Sequence, residues 1–368
     1  NKIDLENGSN NNIGAAKLDR LKLDKSRIES IAKAIDDIIL LNDPVGKITY
    51  DVKRDNNLHI RRVTAPIGVI LAIYESRPNV TSDIAALSLK SGNCTILRSG
   101  SDSYHSSSKI AQIYNDILQD FNINQNIIHY IQDTNRDCIN QLLQMDNYID
   151  VVIPRGGKGL IQAISNNTKI PIFKHLDGNC HSYIHKNADI KKAREIIINA
   201  KMRRVGICGA TESLVIDKEI ASNFLPLLID DLSAMNCEVR GDNLSLEVDN
   251  RVKLANDQDF YKEYLDKIIS VKIVDDINQA ILHINEHSSS HTEAIITENK
   301  NAAQQFFNNI NSAIIMHNAS TQFADGGEFG LGAEVGISTG KLHARGPVGL
   351  EQLVTYKYIV ASDFAIRS

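Results

Sequence analysis

The chain has 368 residues, with 40 Lys and Arg against 45 Asp and Glu, so its formal net charge is −5. That length suggests two domains, and the acidic balance excludes a chain-wide basic footprint for nucleic acid. Charged residues at 23% and hydrophobic residues at 42% exclude global disorder.

No secretory leader opens the chain, and it begins at Asn1 without a methionine, so further sequence is expected upstream. Ile28, Ile31, Ile35 and Ile38 recur at three- and four-residue steps, which predicts a helix with one apolar face. Ser26 and Glu29 have the spacing of a capping box, and Asp43-Pro44 ends the helix. Two alternating runs, Lys47–Val52 and Leu58–Val63, flank a polar Arg54–Asn57 and predict a hairpin. The longest apolar stretch, Pro66–Tyr74, is about half of what a bilayer span needs, so no membrane partner is expected. Strand-like runs follow at Ile67–Ile73, Cys94–Leu97, Ile127–Ile131, Val151–Ile153 and Ile170–Phe173. Helix-like stretches at Thr81–Leu89, Tyr104–Leu118 and Arg136–Leu143 separate the first four, which argues for a covered parallel sheet. A second α/β series starts near Ser182, with a helix at Asp189–Met202 and strands at Leu214–Ile216, Val271–Val274, Ala294–Thr297 and Ala313–Met316. Gly241–Ala255 reads as an irregular surface excursion. Val354, Tyr356, Tyr358 and Val360 alternate, which predicts a half-buried closing strand, one suited to pairing with a partner chain.

The five cysteines are scattered without CxxC spacing, so free thiols in a reducing, cytoplasmic compartment are expected. Cys208 lies between Gly206 and Gly209, and Lys201, Arg203 and Arg204 precede it closely. Glycines leave room for a ligand, and cations favour the thiolate. Those residues fit a nucleophile, and they also fit a small buried hydrophobe. Cys94, Cys138 and Cys237 read as core or inert surface. His175, Cys180 and His181 offer zinc-ligand types, but no second half of a four-ligand set appears, so no metal is expected. Arg155-Gly156-Gly157-Lys158 follows a strand and opens a helix, where backbone N–H groups can meet a phosphate, or where a turn simply needs flexibility. Asn79 sits just past the first parallel strand, either as an amide donor to an oxyanion or as a turn residue. The glycine-rich Asp325–Glu334, close before His343-Ala-Arg345, suits either an anionic ligand or a mobile loop.

The strings IYESRPNVT, LKSGNCTILRSGS, PRGGKGLI, KHLDGNCH, GICGATESLVI and HTEAIIT carry a resemblance, as do NASTQFADGGEFGLGAEVGIST and KLHARGPVGLEQLVTYKYIV. From Ile3 to Val360 the chain resembles the γ-glutamyl phosphate reductase (glutamate-5-semialdehyde dehydrogenase) family, within the aldehyde dehydrogenase superfamily. The resemblance implies an α/β, aldehyde dehydrogenase-like fold. Its parts would be a Rossmann-like NADP-binding domain over 1–180, a catalytic domain over 181–345 and a C-terminal segment over 346–368. The hairpin at about 47–64 and the C-terminal strand would form an oligomerisation element, giving a homo-oligomer, a dimer or larger. The implied reaction is NADPH-dependent reduction of L-glutamyl 5-phosphate to glutamate 5-semialdehyde in proline biosynthesis, with functional association to glutamate 5-kinase.

In the same terms, Cys208 matches the nucleophile that carries a thioester, and Asn79, with the Cys208 N–H, matches the oxyanion donors. Arg98 and Ser101 lie where the superfamily contacts the adenosine ribose, and Gly156, Gly157 and Lys158 lie at its pyrophosphate turn. Glu263 aligns with the carboxylate that holds the nicotinamide ribose. Arg77, Lys341 and Arg345 are candidates for the substrate's carboxylate or phosphate. His175 stands where hydrolytic relatives carry a Glu base, which suits an enzyme that keeps water from its thioester. Gly209 stands where the family generally has Asn, and Val205 where Pro is common. Two other readings compete. One is a hydrolytic aldehyde dehydrogenase, which the missing Glu opposes. The other is a silent homologue or the reductase part of a kinase–reductase fusion, and retention of Cys208 and Asn79 opposes silence.

Overall fold

The structure is a computed structural model that describes residues 1–174 and 177–367. It divides into two units. The first is Asn1–Lys174 with Gly330–Gly336 and the chain from Pro347 onward; the second runs up to Phe329 and takes Ile337–Gly346.

The first unit opens with helices α1 (Lys2–Asn10), α2 (Ala15–Leu21) and α3 (Lys25–Leu40). The isoleucine periodicity marks α3, but Asp24 caps it, accepting from the Arg27 N–H, in place of Ser26. Ile38 is the buried residue of that helix, and Ile28 is exposed, so the apolar stripe is only partly used. The hairpin forms as β1 (Ile48–Lys53) and β2 (His59–Pro66), turning through Asn57 at φ 63°. Then β3 (Val69–Tyr74), α4 (Asn79–Lys90), β4 (Cys94–Ser99), α5 (Tyr104–Asp120), β5 (Ile128–Tyr130), α6 (Arg136–Leu142), β6 (Val151–Arg155) and α7 (Lys158–Asn167) alternate as predicted. The four strands are parallel in the order β5-β4-β3-β6. Leu71 and Ile73 of β3 pack with Val152 and with Leu142 and Ile164 of α6 and α7. Each fully buried side chain of this size stabilises by roughly 1.5–3 kcal/mol.

The predicted strand at Ile170–Phe173 reduces to one bridge, Ile172 to Val152. Pro171 has no N–H to offer a ladder, so pairing does not propagate.

In the second unit, β7 (Cys180–Ile184), α8 (Ile190–Met202), β8 (Thr211–Asp217), α9 (Lys218–Ala234), β9 (Glu238–Gly241), α10 (Asn243–Val248), β10 (Lys253–Leu254), β11 (Ile268–Val274), α11 (Ile277–His287), β12 (Thr292–Ile296), α12 (Lys300–Asn309) and β13 (Ile314–His317) build one parallel sheet, ordered β10-β9-β11-β8-β7-β12-β13. Strand β8 is apolar without interruption from Leu214 to Ile216. Leu214 and Ile216 join the core under α8 and α9, and Val215 joins the core under α11 and α12. A strand buried on both faces reads this way. Cys180, expected at the end of the cofactor domain, instead opens a strand of this second sheet. The supposed excursion at Gly241–Ala255 is also folded: it holds α10 and β10, and Gly241, Ser245 and Val252 are buried. Its polar pattern reflects an Asp242 cap, whose carboxylate accepts from Ser245.

Two short strands, β14 (Ile337–Ser338) and β15 (Gly346–Pro347), precede β16 (Val354–Ala361). Strand β16 pairs antiparallel with β2, so hairpin and C-terminal strand form one sheet, β1-β2-β16. It is not half-buried. Beyond Val354 both of its faces are exposed, because this ribbon has no core beneath the strand. Asn93 ties the region to the parallel sheet: its Nδ2 donates to Leu353 O and Ser91 Oγ at 2.7 Å each, and its Oδ1 accepts from Gly68 N at 2.8 Å. Asn93→Ala orphans buried partners and is expected to destabilise the fold by about 2–3 kcal/mol, read as a lower urea midpoint.

Candidate active site

In the first unit the chain runs β3, β4, β5 outward and returns as β6 on the other side of β3. Open α/β sheets bind ligands at the carboxyl ends of strands where the order reverses in this way. Asn79 follows β3 at that end, and Gly156, Gly157 and Lys158 follow β6. Helix α7 starts at Gly157 with no side-chain cap. The Gly157 N–H instead donates to Glu75 Oε2 at 3.2 Å, so a carboxylate occupies the position an anionic ligand would take. A Cβ on Gly156 would stand 2.9 Å from that oxygen. Ser76 adopts φ 45°, and both its N–H and its hydroxyl donate to Asp102. A non-glycine residue held there is backbone strain at the site.

The Asn79 Nδ2 donates to Asp83 Oδ2 at 3.0 Å. Arg77 is half-buried between β3 and α4. Arg98 is buried, and its two terminal nitrogens donate to Ser99 O and Thr134 O at 2.7 Å each. Those bonds clamp the end of β4 to the segment before α6. Ser101 lies in the exposed turn after β4.

In the second unit Cys208 stands in the turn before β8, its side chain half-buried. Around it the chain supplies three fixtures. Cys180, fully buried at the start of β7, donates its S–H to the Cys208 carbonyl at 3.1 Å. Burial holds that thiol well above its ordinary pKa, so it stays a donor. Gly178 supplies close approach: a Cβ there would lie 2.3 Å from Cys208 O, 2.8 Å from its Cα and 2.8 Å from Glu263 Oε1. The Cys208 main chain and the Glu263 carboxylate therefore converge on one glycine. Gln322 is the third fixture, donating to Ala200 O at 2.8 Å and accepting from Arg203 Nε at 2.8 Å. Gly209 packs beside it, where a Cβ would stand 3.1 Å from Thr321 O.

Two of the three cations expected to acidify Cys208 have other duties. Lys201 is fully buried and pairs with buried Glu212 at 2.5 Å, while Arg203 serves Gln322. Burial pushes the Glu212 carboxyl up, against the pull of Lys201. The other Glu212 oxygen accepts from Leu265 N at 3.2 Å, two residues past Glu263. The pair thus ties the end of α8 and strand β8 to the turn that carries Glu263.

His175 lies outside the described residues. His181 is buried against Glu293, its Nδ1 3.1 Å from Oε2. Among the described residues no group of His, Cys, Asp and Glu is arranged to hold a metal. Arg345 is bound to Asn311, with Nη1 2.8 Å from Oδ1, and Lys341 is exposed. Sequence reasoning missed Glu75, Gly178, Gln322 and the Lys201–Glu212 pairing. Glu75 and Gln322 meet their partners across 82 and 119 residues, beyond any local pattern.

A family model, the aldehyde dehydrogenase family, matches residues 22–249. The chain is 52% identical over 343 residues to a gamma-glutamyl phosphate reductase of Erythrobacter litoralis, covering 93% of this chain and 81% of that protein. It is 49% identical over 367 residues to one of Paramagnetospirillum magneticum, covering 100% and 87%. The crystal structure of a gamma-glutamyl phosphate reductase from Thermotoga maritima superposes with a TM-score of 0.97 at 42% identity, over 100% of this chain and 89% of that one.

Gly178→Ala is expected to overpack the Cys208 turn and cost about 1–3 kcal/mol, together with a changed alkylation rate at Cys208. Lys201→Met leaves Glu212 buried and unpaired and is expected to cost about 3–5 kcal/mol, with most of it regained in Lys201→Met/Glu212→Leu. Urea unfolding measures both.

Proposed function

This chain belongs to the aldehyde dehydrogenase family, and we propose that it reduces L-glutamyl 5-phosphate with NADPH to L-glutamate 5-semialdehyde and phosphate. Relatives of that name at about half identity over nearly the whole chain support the substrate. The observation that carries the chemistry is Cys208, a half-buried sulfur on a turn whose carbonyl is tied back by Cys180.

The Cys208 thiolate attacks the acyl carbon and forms a C–S bond. Negative charge gathers on the carbonyl oxygen, and the Asn79 amide and the Cys208 N–H take it. Phosphate leaves with the bridging oxygen and its electron pair, so a thioester remains on Cys208. The strand-order reversal, the side-chain-free Gly156 and Gly157, and the start of α7 without a side-chain cap support a dinucleotide site in the first unit, where a pyrophosphate would displace the Glu75 carboxylate from the Gly157 N–H. When bound there, NADPH supplies the hydride that brings the thioester to the aldehyde level. Gly156, Gly157 and Lys158 would hold its pyrophosphate, and Glu263 its nicotinamide ribose. Collapse then breaks the C–S bond, releases the aldehyde and returns Cys208 as thiolate. Phosphate rather than water is the partner of the acyl group in this scheme, so the reverse direction requires phosphate.

We also propose that two copies associate through the β1-β2-β16 sheet, where Ile48, Tyr50, Tyr356, Tyr358 and Val360 are exposed and β16 is an unpaired edge.

The test is oxidation of glutamate 5-semialdehyde with NADP⁺, followed as NADPH absorbance. Wild type is expected to need phosphate, and Cys208→Ala to lose at least about 1,000-fold in kcat. A rate indifferent to phosphate would assign the chain a hydrolytic reaction instead.

A further inference from the structure

Asp83 lies one turn along α4 from Asn79 and accepts its Nδ2–H at 3.0 Å. A carboxylate only accepts hydrogen bonds, so this contact decides which end of the amide faces it. The nitrogen faces Asp83, and the second N–H and Oδ1 are left for other partners. Asn79 is the first helical residue of α4, after Pro78, and caps nothing. Its side chain is therefore spared the usual duty of an asparagine at a helix start.

Asp83 is half-buried. It lies on α4, which packs on α5, and its charged and titratable neighbours are Arg155 of β6 and Tyr114 of α5. Arg155 is itself half-buried. Its Nε is buried without a hydrogen-bond partner, and a Cβ on Gly336 would stand 3.1 Å from Nη1. A half-buried carboxyl with these neighbours is held more firmly than a fully exposed i,i+4 partner would be.

We propose that Asp83 is a positioning residue for the reaction: its carboxylate locks the Asn79 amide so that the second N–H is ready for the developing oxyanion. The proposal rests on the reading of Asn79 as the oxyanion donor. Burial raises the Asp83 carboxyl from 3.8 to about 6, with Arg155 and the Asn79 bond pulling the other way. Once protonated, the group carries an O–H that donates to Asn79 Oδ1, and the amide can turn over. The ionised form is the competent one, so kcat falls as pH drops through about 6.

The experiment is kcat and KM against pH for phosphate-dependent semialdehyde oxidation by wild type, Asn79→Ala, Asp83→Ala, Asp83→Asn and the double alanine variant. Asn79→Ala is expected to lower kcat about 100-fold. Asp83→Ala is expected to lower it about 10- to 100-fold with little change in KM, and the double variant to be no slower than Asn79→Ala alone. Asp83→Asn keeps the shape but does not titrate and, like the protonated carboxyl, offers Asn79 a donor as well as an acceptor. It should stay slow at every pH and lose the limb near pH 6 that wild type has. Wild-type kcat in Asp83→Ala, additive losses in the double variant, or survival of that limb in Asp83→Asn would overturn the proposal while leaving the role of Asn79 intact. Wild-type kcat in Asn79→Ala would instead overturn the reading beneath it.

Discussion

A side chain at residue 178 would stand 2.3 Å from the Cys208 carbonyl oxygen, so the turn bearing the sulfur can occupy its place only against a glycine. That close approach sets the rest of the site. It lets Cys180, two residues on, reach the same carbonyl with its S–H. It also brings the Glu263 carboxylate against the same spot. The main chain of Cys208 is thereby held from behind. In the proposed role of nucleophile, a sulfur on so fixed a backbone would lose little freedom on meeting an acyl carbon.

The two units use their sheets differently. In the first, the candidate segments follow strands β3 and β6, at the carboxyl ends where the order reverses. In the second, Gly178 precedes β7, Cys208 precedes β8 and Glu263 precedes β11, so the residues proposed for the chemistry gather at the amino ends. Buried polar groups brace them there. Lys201 with Glu212 and His181 with Glu293 are fully enclosed pairs, and each charged or polar atom so placed needs its partner. The expectation that Lys201 and Arg203 would lower the Cys208 pKa counted sequence neighbours. Their side chains turn instead to Glu212 and Gln322, and the helix–turn–strand geometry sends them there.

Most of the alternation of strand and helix was legible, because a strand buried on both faces carries an uninterrupted apolar run, as in β3 and Leu214–Ile216 of β8. The reversal of strand order was not legible, since pairing partners leave no local trace. Strand β9 and the short β10 escaped notice because charged Glu238, Arg240 and Lys253 interrupt them; Arg240 pairs with Glu238 along β9, and Lys253 of β10 pairs with Glu238 across the strands. Pro171 misled in the opposite direction, since apolar neighbours mask a missing N–H. At the site, Cys208, Asn79 and the Gly156-Gly157 turn were legible as residue types with chemistry. Gly178 and Asp83 were not, because each matters only through what stands beside it in the fold.

The most direct test of the central claim is to catch the acyl group on its sulfur. The protein is incubated with glutamate 5-semialdehyde and NADP⁺ without phosphate, quenched in acid, digested and mapped by mass spectrometry. A glutamyl adduct on the peptide carrying Cys208, discharged when phosphate is added, is the result the account predicts. An adduct on another residue, or none while NADPH still forms, would contradict it.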